Sequence, residues 1–130
     1  MAAAATITNK VLATLFVLLS LVAHGKAATC SLRDISVSQQ RTGATVQNKP
    51  EWLVTIENKC ACVQLDLKMK CDGFQTVENI DPSVFQVSSD GLCLVNSGQP
   101  VYNKPVTFKY AWDNSFPLTP SSSTIACSRR

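Results

Sequence analysis

Residues 57–74 read ENKCACVQLDLKMKCDGF and contain the most regular pattern in the chain. Between residues 63 and 70, apolar and polar side chains alternate without a break. A period of two places alternate side chains on opposite faces of a β-strand, whereas a helix would spread the same residues around its whole surface. The members predicted to face the core are Val63, Leu65, Leu67 and Met69, and those predicted to face water are Gln64, Asp66, Lys68 and Lys70. Because cysteines flank the strand, we expect it in the interior of a sheet with a disulfide at each end.

The N-terminal segment has the order of a secretory signal peptide. Residues 1–10 carry one lysine and no acid, residues 11–22 form an apolar run, and small residues follow. This twelve-residue run would span about 18 Å as a helix, which is too short for a bilayer core of roughly 30 Å. We therefore predict a cleaved leader at 1–27 rather than a membrane anchor, and one domain at 28–130 with no membrane insertion after cleavage.

Charge and histidine content argue against several classes of function. The net charge of +3 includes Lys10 and Lys26 of the leader. The remaining domain is therefore nearly neutral, and its scattered cations do not predict nucleic-acid binding. The single histidine of the chain, His24, also lies in the leader. Residues 28–130 thus lack the imidazole that Ser-His-Asp and Cys-His catalysis require. The acids are scattered, so we predict no enzyme, no metal and no cofactor.

Six cysteines follow the leader, an even number that is typical of a disulfide framework in a small secreted domain. They are Cys30, Cys60, Cys62, Cys71, Cys93 and Cys127. An extended strand from 62 to 71 separates its ends by roughly 30 Å, whereas a bridge needs Cα atoms within about 7 Å. Cys60 and Cys62 are also too close in sequence to pair easily with each other. Cys60, Cys62 and Cys71 must therefore each pair with one of Cys30, Cys93 and Cys127, which leaves about six connectivities open.

Several shorter strands are predicted around the central one. They lie at 31–41, 51–58, 74–77, 84–87, 92–96, 106–112 and 123–127. Thr42–Pro50 is predicted as a loop, and Asp72-Gly73 as a hairpin turn. A hairpin of the first two strands would place Cys30 beside Cys60 or Cys62. About seven or eight short strands separated by turns predict an all-β fold, a small disulfide-stapled antiparallel β-sandwich.

The aromatic residues allow two interpretations. Phe108, Tyr110 and Trp112 alternate with smaller or polar residues, so we expect them to face the core and the Tyr110 hydroxyl to find a partner. Trp52, Tyr102 and Trp112 could instead form an exposed platform for a sugar or a protein partner. The alternation around the two tryptophans favours burial.

The eight residues CLVNSGQP, Cys93 to Pro100, resemble the CLVN-x-GQP signature of the plant tapetum determinant family. Further matching motifs are VTIENKC at 54–60, CDGF at 71–74, FKYA at 108–111 and FPL at 116–118. The resemblance extends from about Cys30 to Cys127. Members of this family are small secreted cysteine-rich proteins, and the founding member is a ligand of a leucine-rich-repeat receptor kinase that specifies tapetal cell fate in anthers.

The resemblance implies a secreted signalling ligand in the apoplast, whose partner is the ectodomain of a leucine-rich-repeat receptor kinase and whose role is cell fate in the anther. The alternative is a cell-wall-associated carbohydrate-binding or structural module. An enzyme inhibitor would need a protruding loop, for which Thr42–Pro50 is the candidate. The sequence names no contact residues, and the turns Asp90-Gly91 and Ser97–Pro100 are the first to scan, because loops held on a rigid frame often carry recognition. The alternative is that the motif of this region only shapes a turn.

Overall fold

The fold is a pair of antiparallel β-sheets around one core, as seen in a computed structural model that describes residues 29–88 and 91–127. The strands are β1 (Ile35–Val46), β2 (Lys49–Asn58), β3 (Val63–Lys70), β4 (Phe85–Val87), β5 (Leu92–Val95), β6 (Val106–Ala111) and β7 (Thr119–Ala126). The first sheet has the order β1-β2-β6 and the second β4-β5-β3-β7. The prediction of a small disulfide-stapled all-β fold is confirmed. The predicted leader, 1–27, and Asp90 lie outside the described residues.

The hairpin of β1 and β2 is confirmed, but the prediction of a loop at Thr42–Pro50 is wrong. Both strands continue through this segment to a two-residue turn at Gln47 and Asn48, whose φ angles are 49° and 65°. Positive φ at both central residues is the geometry of a type I′ turn, which matches the twist of the flanking strands. Gly43, with φ of 90°, lies where the register shifts between Arg41 and Thr45. An inhibitor-type loop is therefore replaced by a hairpin tip.

The central strand β3 lies between β5 and β7, as predicted, but its alternation does not run through. Asp66 has φ of 50°, and the pairing with β7 shifts register between Leu65 and Lys68. This is a β-bulge, which inserts one extra residue and changes the phase of the side chains. The predicted facing is therefore wrong before the bulge: Gln64 is fully buried, while Val63 and Leu65 are only half-buried. Leu67 and Met69, after the bulge, are buried as predicted.

The segment after β3 contains no strand from 74 to 77, contrary to the prediction. The chain turns at Asp72-Gly73 and then crosses to the first sheet. The Phe74 ring packs against Phe85, Tyr110 and Phe116 at centroid distances of 5.4, 5.0 and 5.3 Å. Aromatic packing with distant residues thus overrides a local hairpin. Farther along, Val77 N–H donates to the carbonyl of Ala111 at 3.0 Å, so this segment covers the edge of β6.

The two C-terminal strands complete the core. Phe108 and Tyr110 of β6 are buried as predicted. The Tyr110 hydroxyl donates to Gln39 Oε1 and accepts from Phe116 N–H at 3.0 Å, and burial raises its pKa. Strand β7 begins at Thr119 rather than at residue 123. Pro120 is tolerated there because β7 is an edge strand, where a missing N–H breaks no interior ladder.

Candidate recognition surface

Three disulfides hold the frame of the candidate surface: Cys30–Cys60, Cys62–Cys127 and Cys71–Cys93. This is one of the connectivities that the sequence left open, and Cys30 bonds one of the two cysteines that the hairpin suggested. The sulfur atoms of Cys30, Cys62 and Cys127 lie within 4.8 Å of one another, so two bridges form a single cluster. That cluster joins the starts of the domain and of β3 to the ends of β2 and β7. The third bridge holds the opposite end of β3.

Gln64 forms a polar hub beside this cluster. Its side-chain Nε2 donates to the Ser31 carbonyl at 3.1 Å, and its Oε1 accepts from Ser123 Oγ at 2.6 Å. Its backbone exchanges two hydrogen bonds with Val101, at 3.3 and 2.8 Å. Asn58, also buried, donates to the Val101 carbonyl at 2.9 Å. Satisfied polar groups of this kind fix the relative position of the segments they join.

The outward side of the second sheet carries two lysines among half-exposed leucines. Lys68 pairs with Leu94 on one side and Ser122 on the other, and Lys70 pairs with Leu92 and Thr119. Paired residues of antiparallel strands present their side chains on the same face. The lysines are exposed and the leucines intermediate. We call this surface the outer lysine face and define it as Leu65, Lys68, Lys70, Leu92 and Leu94.

The two turns that the sequence singled out border this face at opposite ends of β5. At one end, Gly91 accepts a hydrogen bond from Cys71 N–H at 2.9 Å, and a Cβ at Gly91 would lie 2.2 Å from Asp72 Oδ1. At the other end, Asn96–Gly98 forms a short 3-10 turn with positive φ throughout. A Cβ at Gly98 would lie 2.9 Å from Asp66 Oδ1, so this turn packs closely against the bulge.

A carboxyl pair lies on the first sheet, away from the outer lysine face. Glu51 is 8% exposed and accepts from Thr42 Oγ1 at 2.7 Å. This hydrogen bond, with a second one from Glu78 and the nearby Lys109, lowers the Glu51 pKa. Burial and the adjacent Glu51 raise the Glu78 pKa. Glu78 therefore takes up a proton more readily than Glu51, and the contact between the two carboxyl groups joins the 75–80 segment to the hairpin. Sequence reasoning missed the pair, because the two acids come together only in the fold.

The three aromatic residues considered for a platform do not share one exposed surface. Trp52 and Trp112 are half-buried and pack against the core. Each lies under a cation: Arg41 is 5.5 Å from the Trp52 ring and Lys49 is 5.1 Å from the Trp112 ring. Tyr102 is 59% exposed and lies ahead of β6, whereas Trp112 follows the other end of that strand. This arrangement favours the interpretation of the tryptophans as core residues.

A shallow cleft adjoins Tyr102. It has a volume of about 290 Å³ and is lined by Asn96, Val101, Tyr102, Lys104 and Thr107, among others. A cleft of this size at the surface is smaller than most small-molecule sites, which enclose about 300–1,000 Å³. None of the described helical segments is both long and apolar enough to cross a membrane.

Comparison with known proteins identifies the family. A family model described as "Tapetum determinant 1, C-terminal" matches residues 31–128. The chain belongs to the tapetum determinant family. TPD1 protein homolog 1 of Arabidopsis thaliana is 33% identical over 101 residues, which cover 75% of this chain and 55% of that protein. TPD1 protein homolog 1A of Oryza sativa subsp. japonica is 31% identical over 103 residues, covering 72% of this chain and 45% of the relative.

A second rice relative, TPD1 protein homolog 1B, is 32% identical over 101 residues, or 76% of this chain and 59% of its own length. This member of the tapetum determinant family thus spans about half the length of the curated relatives that it matches. No solved structure matches it. The matched region contains the outer lysine face and every disulfide cysteine except Cys30, which lies one residue before it.

Proposed function

We propose that this protein is a secreted signalling ligand that binds the ectodomain of a leucine-rich-repeat receptor kinase in the apoplast, with a role in anther cell fate. The observation that carries the proposal is the family match over residues 31–128, because the family is of a signalling type rather than a known enzyme family. The leader predicted at 1–27 and the three disulfides are both typical of an extracellular protein.

The described site chemistry supports recognition rather than turnover. All six cysteines are engaged in disulfides, so none offers a free thiolate as a nucleophile or metal ligand. Among the described residues, the carboxyl pair of Glu51 and Glu78 joins the 75–80 segment to the hairpin, and Glu51 is buried and already accepts a hydrogen bond from Thr42. A rigid disulfide-held surface loses little conformational freedom on binding, which favours affinity for a protein partner.

The carbohydrate-binding alternative receives less support. Sugar-binding platforms need exposed rings in a row, whereas Trp52 and Trp112 are half-buried beneath cations. Tyr102 alone offers an open ring face.

The experiment expresses the full chain in insect cells, purifies it from the medium, and measures binding to a panel of plant receptor-kinase ectodomains by biolayer interferometry. Saturable binding to a leucine-rich-repeat ectodomain is expected, and the same protein reduced and alkylated should not bind. Failure to appear in the medium would contradict secretion. Failure of the folded protein to bind any ectodomain of the panel, together with binding to wall polysaccharide, would favour the alternative.

A further inference from the structure

The two outward faces of the sandwich differ in chemistry. On the first sheet, the outward rows Ser38–Thr55–Thr107 and Gln40–Leu53–Lys109 place one leucine and one lysine among polar side chains, and the acidic Glu57 lies on the same face. On the second sheet, the outer lysine face combines long cationic side chains with leucines that remain partly exposed. Apolar side chains next to charge are typical of protein interfaces, in which an apolar centre is ringed by polar groups.

The lysines of this face have no carboxylate to neutralise them within the described chain. The described residues form one salt bridge, between Lys49 and Asp113, far along the chain from β3. Lys68 and Lys70 stand two residues apart on the same side of a strand, about 7 Å from each other. Asp66 lies beside them, but its carboxylate faces Gly98 at the border of the face. An acidic partner would therefore meet two cations that no described carboxylate holds in a salt bridge.

The frame beneath this face is rigid. Strand β3 is interior to its sheet, and disulfides stand at both of its ends, Cys62–Cys127 and Cys71–Cys93. Leu67 and Met69, the inward neighbours of the two lysines, are fully buried. Side chains mounted on such a strand are already placed for binding, so association costs little ordering entropy.

We propose that the outer lysine face is the surface that docks on the receptor, and that the receptor presents carboxylates around an apolar patch. This inference rests on the proposed function and adds the contact surface and the chemistry of the partner. The acidic character of the partner follows from charge complementarity: two lysines that form no salt bridge with the described residues attract acidic groups, which raise the association rate and select the partner. Leu92 and Leu94 supply apolar area between the lysines and the edge of the sheet.

The size of the face indicates what else takes part. The outer lysine face lies on β3 and β5 and is part of the outward surface of a four-stranded sheet. Four strands about 4.8 Å apart, each at most about eight residues long at about 3.4 Å per residue, give this whole surface at most roughly 15 by 27 Å, or about 400 Å². A stable interface buries about 800 Å² on each partner. Even the whole outward surface of the sheet supplies at most about half of this area, so the turns at Gly91 and at Asn96–Gly98, which border the outer lysine face, belong to the same interface.

The test compares two double charge reversals with the same change in net charge. Lys68→Glu with Lys70→Glu reverses the charge of the outer lysine face, whereas Arg33→Glu with Lys59→Glu reverses two exposed cations elsewhere. Binding of each full-length secreted variant to the receptor ectodomain found for the wild type is measured by biolayer interferometry, with thermal melts as a check of folding. The first variant is expected to bind at least about tenfold more weakly, and the second within about twofold of the wild type.

A milder double substitution tests the same face if the charge reversal on β3 impairs folding. Lys68→Ala with Lys70→Ala removes the charges without repulsion and should weaken binding about threefold or more, with a shallower dependence of affinity on salt than the wild type. Unchanged affinity and salt dependence of the folded alanine variant would overturn the docking face while leaving the receptor-ligand function in place. Absence of wild-type binding to any ectodomain would instead remove the proposed function, and this inference with it.

Discussion

Gln64→Ala is expected to destabilise the domain by about 2–4 kcal/mol, although the sequence pattern places Gln64 on the solvent side. Its side chain is fully buried and bonds the Ser31 carbonyl and the Ser123 hydroxyl. Each of these two hydrogen bonds is worth about 0.5–1.5 kcal/mol, and a buried group left without a partner adds a further cost. The removed side-chain atoms leave a cavity, which accounts for the rest.

The assay is urea unfolding of the oxidised protein, followed by tryptophan fluorescence. A fall in the midpoint at an unchanged slope reports lost stability rather than a changed unfolded state. For a domain of this size, each kcal/mol lowers the melting temperature by about 4–8 °C, so a fall of at least about 8 °C is expected. Lys68→Ala, an exposed change on the same strand, should stay within about 0.5 kcal/mol of the wild type.

Single-residue deletions in β3 test the β-bulge at Asp66, because they change the spacing of the backbone rather than one side chain. Without Asp66, β3 becomes regular and keeps Gln64 and Leu67 facing the core, because the bulge is the extra residue between them. Deletion of Lys68 instead reverses the facing of Met69 and Cys71 and removes the Cys71–Cys93 bridge. Asp66 deletion should therefore allow secretion with three disulfides, and Lys68 deletion should not. Equal stability of Gln64→Ala and Lys68→Ala, or equal secretion of the two deletions, would refute the bulge.

Three further predictions concern the core, the disulfides and the carboxyl pair. Leu67→Asp buries a charge and should abolish secretion, whereas Lys68→Asp should be secreted and melt near the wild-type temperature; similar yields of both would contradict the facing of β3. Reduction of the disulfides should abolish the cooperative melt, since each bridge contributes about 2–5 kcal/mol, and an unchanged melt in excess reductant would contradict this. Because the folded pKa of Glu78 is raised above 4.5, stability should fall as pH rises through that raised value. In urea unfolding at a series of pH values, Glu78→Gln should lose less stability over this range than the wild type. Parallel curves for the two proteins would contradict the raised pKa of Glu78.

The features that the sequence predicted correctly are those decided by short-range patterns. The alternation of apolar and polar residues predicts the ends of β2 and β6 to within one or two residues. The extended length of β3 excludes most cysteine pairings, and the observed disulfides are among those that remain. The turns near Gly91 and Ser97 were found from turn residues and do border the outer lysine face. These signals are local, and the structure preserves them because tertiary packing agrees with them.

The features that the sequence missed depend on pairing between distant residues. Nothing near Asp66 marks it as an inserted residue; its register with β7 reveals the bulge. Gln47-Asn48 lacks the glycine that usually marks a type I′ turn, so the sequence pattern favours a loop where the structure has a hairpin tip. The lysines of β3 were predicted to be exposed, but their leucine neighbours become visible only from the pairing with β5.

The bulge links the core of the molecule to its candidate docking face. In a regular strand, the alternation of Leu65 with Leu67 would bury both leucines and leave Gln64 in water. One extra residue at Asp66 exchanges these positions: Gln64 enters the core and joins the segments near the disulfide cluster, and Leu65 moves outward beside Lys68. The hydrogen bonds of Gln64 offset the free-energy cost of burying its amide. The outward Leu65 adds apolar area to the outer lysine face. Bulges often re-aim side chains next to functional sites, and here a single one shapes both faces of the strand.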